Sequence, residues 1–143
     1  MTIEQISVFL ENKPGSFCNV AAVLSENGIN MRAMSVAETS DFGILRMIVD
    51  DPEKTKTVLT EEGFIHSETP VIAVEVKDCP GSLVEILKKI NEASISLEYM
   101  YAFTGKKEDS AYFVFRVDDA ARTADVLNEA GINVATKVDI ANL

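Results

Sequence analysis

The sequence predicts an α+β fold made of two copies of one unit, each an antiparallel sheet with two helices on one face. Three observations support this: an internal repeat, the same order of strand and helix patterns in each copy, and a shared Pro-Gly turn. Laying Ile6 on Ile72 also lays Pro14-Gly15-Ser16 on Pro80-Gly81-Ser82. The repeat covers nearly the whole chain, and it predicts domains at 1–69 and 70–143.

Each copy opens with alternating apolar residues, which indicate a strand, followed by a helical apolar stripe at i, i+3, i+4 and i+7. In the first copy the predicted elements are a strand around Ile6, a helix from Phe17 to Gly28, strands at 29–38 and 42–50, a helix between Asp51 and Gly63, and a strand at 64–69. In the second copy they are a strand around Ile72, a helix from Leu83, strands at 95–103 and 111–118, a helix between Asp119 and Gly131, and a strand at 132–140.

The order strand, helix, strand, strand, helix, strand is the split βαβ, or ferredoxin-like, pattern. Right-handed crossovers place both helices on one side of such a sheet. A core of this size stabilises a unit only marginally, so each copy is expected to need contacts with a neighbouring unit for stability.

Composition excludes several classes of function. Thirteen basic and 23 acidic residues give a net charge of −10, which repels nucleic acids and anionic membrane surfaces. No apolar run reaches the length of a membrane-spanning helix, and residues 1–5 lack the features of a secretion signal, so a cytoplasmic protein is expected. The two cysteines, Cys18 and Cys79, do not suggest a disulfide framework.

The Pro-Gly turns are the candidate ligand-binding segments. Each lies where a strand leads into a helix, so backbone N–H groups without helical partners gather there and attract a carboxylate. Gly15 and Gly81 lack the Cβ that would hold a small ligand away from the backbone. The Asn12 amide oxygen or the Asp78 carboxylate suits an ammonium group. These features fit an α-amino acid, but the same residue types also commonly serve only to begin a helix.

The run Asn12-Lys13-Pro14-Gly15-Ser16-Phe17, followed by Asn27-Gly28-Ile29-Asn30-Met31, resembles the ACT domain. In that family the loop after the first strand is similar to Asn/Asp-x-Pro-Gly, the helix ends at Gly-Ile-Asn-Ile or similar, and the fold is ferredoxin-like. The resemblance implies that a free amino acid binds as a feedback effector at the seam between two units paired edge to edge through their second strands.

The resemblance also implies a set of ligand-binding residues. In the first copy they are Asn12, Lys13, Pro14, Gly15, Ser16, Phe17, Asn30 and Met31. In the second copy they are Asp78, Cys79, Pro80, Gly81, Ser82, Leu83 and Ser96. There Ser94-Ile95-Ser96-Leu97 replaces the Gly-Ile-Asn-Met sequence, a departure that weakens the case for binding at this strand.

Exposed edge strands need covering, which favours a homo-oligomer or a copy-to-copy contact. The aromatic residues Tyr99, Tyr101 and Phe103 are expected on one face of the second copy's edge strand. The matching face of the first copy is expected to carry Met31, Ala33 and Ser35.

The preferred hypothesis is a ligand-sensing module that acts in trans on a partner enzyme and needs no cofactor. No metal or nucleotide motif supports another site, and the acidic pairs such as Asp50-Asp51 and Asp118-Asp119 are explained by helix capping. His66 is expected to be a solvent-facing strand residue. Two alternatives stay open: an interaction protein with vestigial sites, and a small enzyme of the acyl phosphatase type, for which the arginines show no suitable spacing.

Overall fold

The computed structural model describes residues 2–143; Met1, part of the predicted first domain, lies outside the described residues. The chain divides into two compact units. The first unit is Glu4–Thr69, and the second is Pro70–Leu143 together with residues 2–3.

The first unit follows the predicted order of elements. It contains β1 (Ile3–Glu11) from Glu4 onward, α1 (Ser16–Glu26), β2 (Met31–Glu38), β3 (Phe42–Val49), α2 (Pro52–Glu61) and the start of β4 (Ile65–Lys77). Strand β3 pairs antiparallel with both β1 and β2, in the order β2-β3-β1. The edge strand β2 is therefore the second strand of the unit.

One face of this sheet forms the core. Alternate residues of β1 and β3 join residues of α1 and α2 in a single buried cluster, whose members include Ile6, Val8, Leu45, Met47, Val20, Leu24, Val58 and Leu59. Because both helices contribute to the same cluster, they lie on the same face of the sheet. This confirms the arrangement that the crossover rule predicts.

Helix ends follow the predicted signals. Gly28 adopts a left-handed conformation (φ +68°) just after α1, which a residue without Cβ does at little cost. Asp51 begins α2 by accepting the Lys54 N–H at 3.1 Å. In the second unit, Asp119 accepts the Arg122 N–H at 3.0 Å. The capping interpretation of Asp51 and Asp119 is confirmed.

The boundary between the two copies differs from the prediction. Separate strands were expected at 64–69 and around Ile72, but β4 runs without interruption from Ile65 to Lys77. Pro70 lies inside it. Proline fixes φ at about −65°, which the broad β region still includes, and it lacks the N–H donor, so a strand tolerates it where no ladder donor is needed.

The second unit repeats the pattern with one change at its end. It contains the rest of β4, α3 (Ser82–Glu92), β5 (Leu97–Thr104), β6 (Ser110–Val117), α4 (Ala120–Glu129) and α5 (Lys137–Ala141). Its strand order is β4-β6-β5 with antiparallel pairs. A second buried cluster, which includes Ile72, Phe115, Ile86 and Leu127, joins one face of this sheet to α3 and α4.

The predicted strand at 132–140 is wrong. Only Val134 makes a bridge, to Val74, and the chain then enters α5. The Thr136 hydroxyl accepts the Asp139 N–H at 3.2 Å, and the Asp139 carboxylate accepts the Thr136 N–H at 2.8 Å. This reciprocal capping box begins a helix and overrides the alternating apolar pattern.

Candidate functional site

The first Pro-Gly turn is shaped by Gly15, which lies immediately before α1 with φ +89°. Residues with a Cβ rarely adopt this left-handed conformation. No side chain caps the helix at this point. A Cβ built on Gly15 would meet no atom within 4 Å, so the space above the turn is open.

The amides of this turn fall into two groups. Those of Asn12, Lys13 and Ser16 donate to backbone carbonyls at 3.2, 2.9 and 3.3 Å. The residues that the structure describes provide no acceptor for the amides of Gly15, Phe17 and Cys18. The turn therefore presents hydrogen-bond donors to open space, as the sequence analysis expects.

The second turn has the same geometry. Gly81 has φ +94°, no side chain caps α3, and a Cβ built there would again meet no atom within 4 Å. The amides of Asp78, Cys79 and Ser82 donate to backbone carbonyls at 2.7, 2.9 and 3.3 Å. Within residues 2–143, no acceptor serves the amides of Gly81, Leu83 and Val84.

The turn side chains differ in exposure: Ser16 is buried and Phe17 packs against the core, whereas the residues that open each turn are exposed. Asn12 and Asp78 both lie at the surface, where a ligand could reach their oxygen atoms. Lys13 forms an ion pair with Glu11 at 3.0 Å, with both side chains mostly in solvent. Such a pair holds its partners only weakly, so Lys13 remains able to turn towards an anion.

Cys79 contacts the first residue of α3. Ser82 Oγ donates its single proton to the Lys77 carbonyl at 2.6 Å, and Cys79 Sγ lies 3.2 Å from the same Oγ. Because that proton is already engaged, the thiol is the donor in the second contact.

The strand half of the predicted site begins at Asn30. Its backbone is fixed by Asp50, whose Oδ1 accepts the Asn30 N–H at 3.0 Å and whose N–H donates to the Asn30 carbonyl at 3.1 Å. The Asn30 side chain is exposed. Ser96 and Asp118 form the same pair in the second unit, at 3.2 and 3.1 Å.

Met31 does not lie on the expected face of β2, because a bulge interrupts the strand. The pairing register shifts between Met31 and Ala33, so Met31 lies opposite Val49 of the core, whereas Ala33 lies opposite Ile48. Met31 therefore faces the helices instead of sharing a face with Ala33 and Ser35. Bulges re-aim side chains in this way.

The bulge also creates a groove between α1 and β2. Met34 pairs with Met47 of the core, so it faces the helices together with Met31 despite the odd spacing of the two methionines. An open groove of about 400 Å³ is lined by Ala21, Leu24, Ser25, Gly28, Ile29, Asn30, Met31 and Met34. Of this set, only Asn30 and Met31 were predicted to lie in the site.

The structure does not bring the two halves of the site together within one unit. The turn lies before α1 and Asn30 lies after it. The helix has 11 residues, and at 1.5 Å per residue its ends are about 16 Å apart. An amino acid bound at the turn of a unit therefore cannot touch Asn30 of the same unit.

Asp50 contacts the candidate site but was missed by sequence reasoning. Its pattern indicated helix capping, a role that belongs to Asp51 alone, and only the paired ends of β2 and β3 reveal its bond to Asn30. Ala21 and Met34 were also missed: Met34 shares a face with Met31 only because of the bulge, which the residue pattern does not reveal.

Other candidate groups have structural roles. His66 is half-buried, with Nδ1 3.0 Å from the Phe64 carbonyl, instead of facing solvent as expected. Residues 2–143 contain no group of three or more acidic, cysteine or histidine side chains placed to hold a metal ion. No helix of the described chain combines the length and apolarity needed to cross a membrane.

Comparison with protein families identifies the chain. The family described as an ACT domain pair matches residues 1–143. The chain belongs to this family. Its two units are therefore ACT units, and the predicted fold class of two ferredoxin-like units is confirmed.

Solved structures agree with the ACT assignment. Protein BT0572 from Bacteroides thetaiotaomicron is 34% identical, with a TM-score of 0.94, over 100% of this chain and 98% of that one. The regulatory subunit of aspartate kinase from Thermus thermophilus, in a ligand-free form, is 14% identical with a TM-score of 0.64, over 89% and 91%. The corresponding subunit from Thermus flavus is 16% identical with a TM-score of 0.56, over 90% and 92%. No curated protein matches the chain.

Proposed function

We propose that this ACT domain pair binds a free amino acid and regulates a partner enzyme in trans without catalysing a reaction itself. The observation that carries the proposal is the open Pro-Gly turn, which presents the unpaired amides of Gly15, Phe17 and Cys18 to solvent. An α-carboxylate is the ligand group that such donors fit best.

The chemistry of the turn suits both charged groups of an amino acid. The carboxylate accepts from the bared amides at the positive end of α1. The ammonium group donates to the Asn12 oxygen in the first unit or to the Asp78 carboxylate in the second. Neither interaction involves a bond-breaking step, and the proposed site needs no cofactor.

The ends of α1 are about 16 Å apart, so the proposal requires two units per ligand. A second copy of the chain is the proposed source of the missing half, with Asn30 of one copy meeting the turn of another. Asn30 is ready for this role because Asp50 fixes its backbone while its side chain stays exposed. The proposed protein is therefore a homo-oligomer.

Regulation is the second part of the proposal. The regulatory subunits of aspartate kinase from two Thermus species share the ACT fold with this chain over about nine-tenths of its length. By analogy, ligand binding here would change the affinity for a partner enzyme. Linkage requires the partner to change the affinity for the ligand by the same factor.

Calorimetric titration of the full chain with each standard amino acid tests the proposal. Saturable binding of one or a few amino acids is expected, and Gly15→Ala should weaken it because the new Cβ would narrow the approach to the amides. Gly63→Ala is the matched control, since Gly63 also has positive φ (+78°) and open space but lies at the end of α2. Absence of binding to every standard amino acid would overturn the proposal.

One observation favours a second candidate, an interaction protein that uses no ligand. Met34 and Val36 on the edge strand β2 are 50% and 53% exposed, although both are apolar. An exposed apolar edge of this kind often marks an interface. Self-association without ligand, unchanged by Asn12→Ala, would support this candidate over the sensor.

A further inference from the structure

The groove between α1 and β2 of the first unit bears on which amino acid the protein binds. Its eight lining residues, named above, include no charged side chain. Its polar side chains are Ser25 and Asn30, both neutral. The groove volume of about 400 Å³ lies within the range of small-molecule sites.

We infer that this groove receives the side chain of the effector, and that the effector is an amino acid with a neutral side chain. The inference rests on the proposed function and specifies its ligand. A charged side chain seated against these eight residues would lose water and find no opposite charge among them, which is costly. Two nearby charged groups, the Asp50 carboxylate on the Asn30 N–H and the Lys54 amine beside Gly28, stand outside the lining. Methionine is flexible and polarisable, so Met31 and Met34 can adapt to an aliphatic or thioether group.

The second unit differs at the positions that keep this groove open. In the repeat, Ala21 corresponds to Leu87 and Gly28 corresponds to Ser94. Leu87 packs against the core of its unit, whereas Ala21 contributes only a methyl group to the groove lining. We therefore assign the side-chain subsite to the first unit, because the larger Leu87 stands in the second unit at the position of Ala21.

Paired substitutions test the location of the subsite. Ala21→Leu introduces the residue of the second unit, and we expect it to weaken binding of the effector by about tenfold or more, because a filled pocket excludes its ligand. Ala21→Ser keeps the volume and should bind within about threefold of the unmodified chain. Leu87→Ala, the reverse change in the other unit, should leave the affinity unchanged. Circular dichroism and thermal unfolding establish that each variant is folded.

A charge substitution tests the neutral class. Met34 is 50% exposed, so Met34→Glu places a carboxylate at the groove without burying it deeply. We expect this variant to bind lysine or arginine more tightly, and neutral amino acids more weakly, than the unmodified chain. Calorimetry with neutral amino acids, lysine, arginine, aspartate and glutamate is the measurement.

The outcomes separate the inference about the effector's side chain from the proposed function. The inference is supported if a neutral amino acid binds, and if Ala21→Leu abolishes this binding while Leu87→Ala preserves it. A charged amino acid as the tightest ligand, or equal losses in the two variants, overturns the inference and leaves the proposed function intact. Binding of no amino acid overturns both.

Discussion

Asp50 holds the backbone of Asn30 through two hydrogen bonds, one to the Asn30 N–H at 3.0 Å and one from its own N–H to the Asn30 carbonyl at 3.1 Å. This reciprocal pair joins the end of β3 to the start of β2. It fixes the point at which the strand half of the proposed site begins. The same relationship between Ser96 and Asp118 provides an internal control.

Asp50→Ala should lower ligand affinity by releasing the Asn30 backbone. The bond is exposed, so the loss of unfolding free energy should be about 1 kcal/mol or less. Asp118→Ala removes the equivalent bond from the second unit and should cost similar stability without the loss of affinity. Calorimetry and denaturant unfolding of both variants make the comparison. Equal losses of affinity would show that Asp50 has no special role in the site.

Ser94→Gly should stabilise the protein. Ser94 has φ +54° at the position where the first unit has Gly28, and a left-handed conformation costs a residue with a Cβ about 1 kcal/mol or more. Unfolding in urea should therefore show a gain of about 1 kcal/mol. Gly28→Ser is the reverse test: its Cβ would lie no closer than 3.9 Å to the Lys54 amine, so its cost should come from the backbone alone. A neutral or harmful Ser94→Gly would refute this assignment of strain.

Asp139→Ala should unravel α5 without unfolding the second unit. The helix has five residues and begins with the Thr136–Asp139 capping box, so it lacks the length to form without a cap. Faster amide hydrogen exchange is expected at Ile140 and Asn142, with little change at Val74. Lys137→Ala, which leaves the capping bonds intact, is the control. Unaltered exchange in α5 would contradict the role of the box.

Acid should weaken the same helix. The Thr136 N–H, followed by the Thr136 hydroxyl, lowers the pKa of Asp139 below its usual 3.8. A depressed folded-state pKa means that the stabilisation is complete above the unfolded pKa and is lost as the pH falls through the folded value. The Ile140 amide signal should therefore titrate below pH 3.8. A midpoint above that value would exclude the capping bonds as the cause.

The Tyr112 phenol should ionise at a higher pH than an ordinary tyrosine. Burial, followed by the charges of Glu75 and Asp139, raises the pKa of its phenol above the usual 10.0. Ultraviolet titration of the tyrosines should show a late component, one that ionises at higher pH than the rest. This component should disappear in Tyr112→Phe. Glu75→Gln should move that component to lower pH, because one of the opposing charges is removed. A late component that persists in Tyr112→Phe would assign it to another tyrosine.

Much of the fold was predictable because the same local signals occur twice. An acidic cap before a helix, glycine after a helix and alternating apolar residues each determine a local conformation, and most helices and strands begin within a few residues of the predicted positions. The exception is 132–140, where alternating apolar residues favoured a strand. The Thr136–Asp139 pair favoured a helix in the same segment, and only one of these signals could prevail.

The candidate site was predictable only in part. The Pro-Gly turns were found because their chemistry lies in consecutive residues. The groove depends on a one-residue bulge between Met31 and Ala33, which turns Met31 towards Met34. A bulge is selected by pairing across strands, so consecutive residues do not reveal it. The bond from Asp50 to Asn30 escaped prediction for the same reason.

The central claim is that the amides bared at the Pro-Gly turns hold the carboxylate of a free amino acid. Titrating isotope-labelled protein with each standard amino acid, while following backbone amide signals by NMR, tests it most directly. The account predicts saturable shifts at Gly15, Phe17 and Cys18 for at least one amino acid, absent when its carboxylate is replaced by an amide. Saturable binding that leaves these three signals unmoved, or no binding at all, would contradict it.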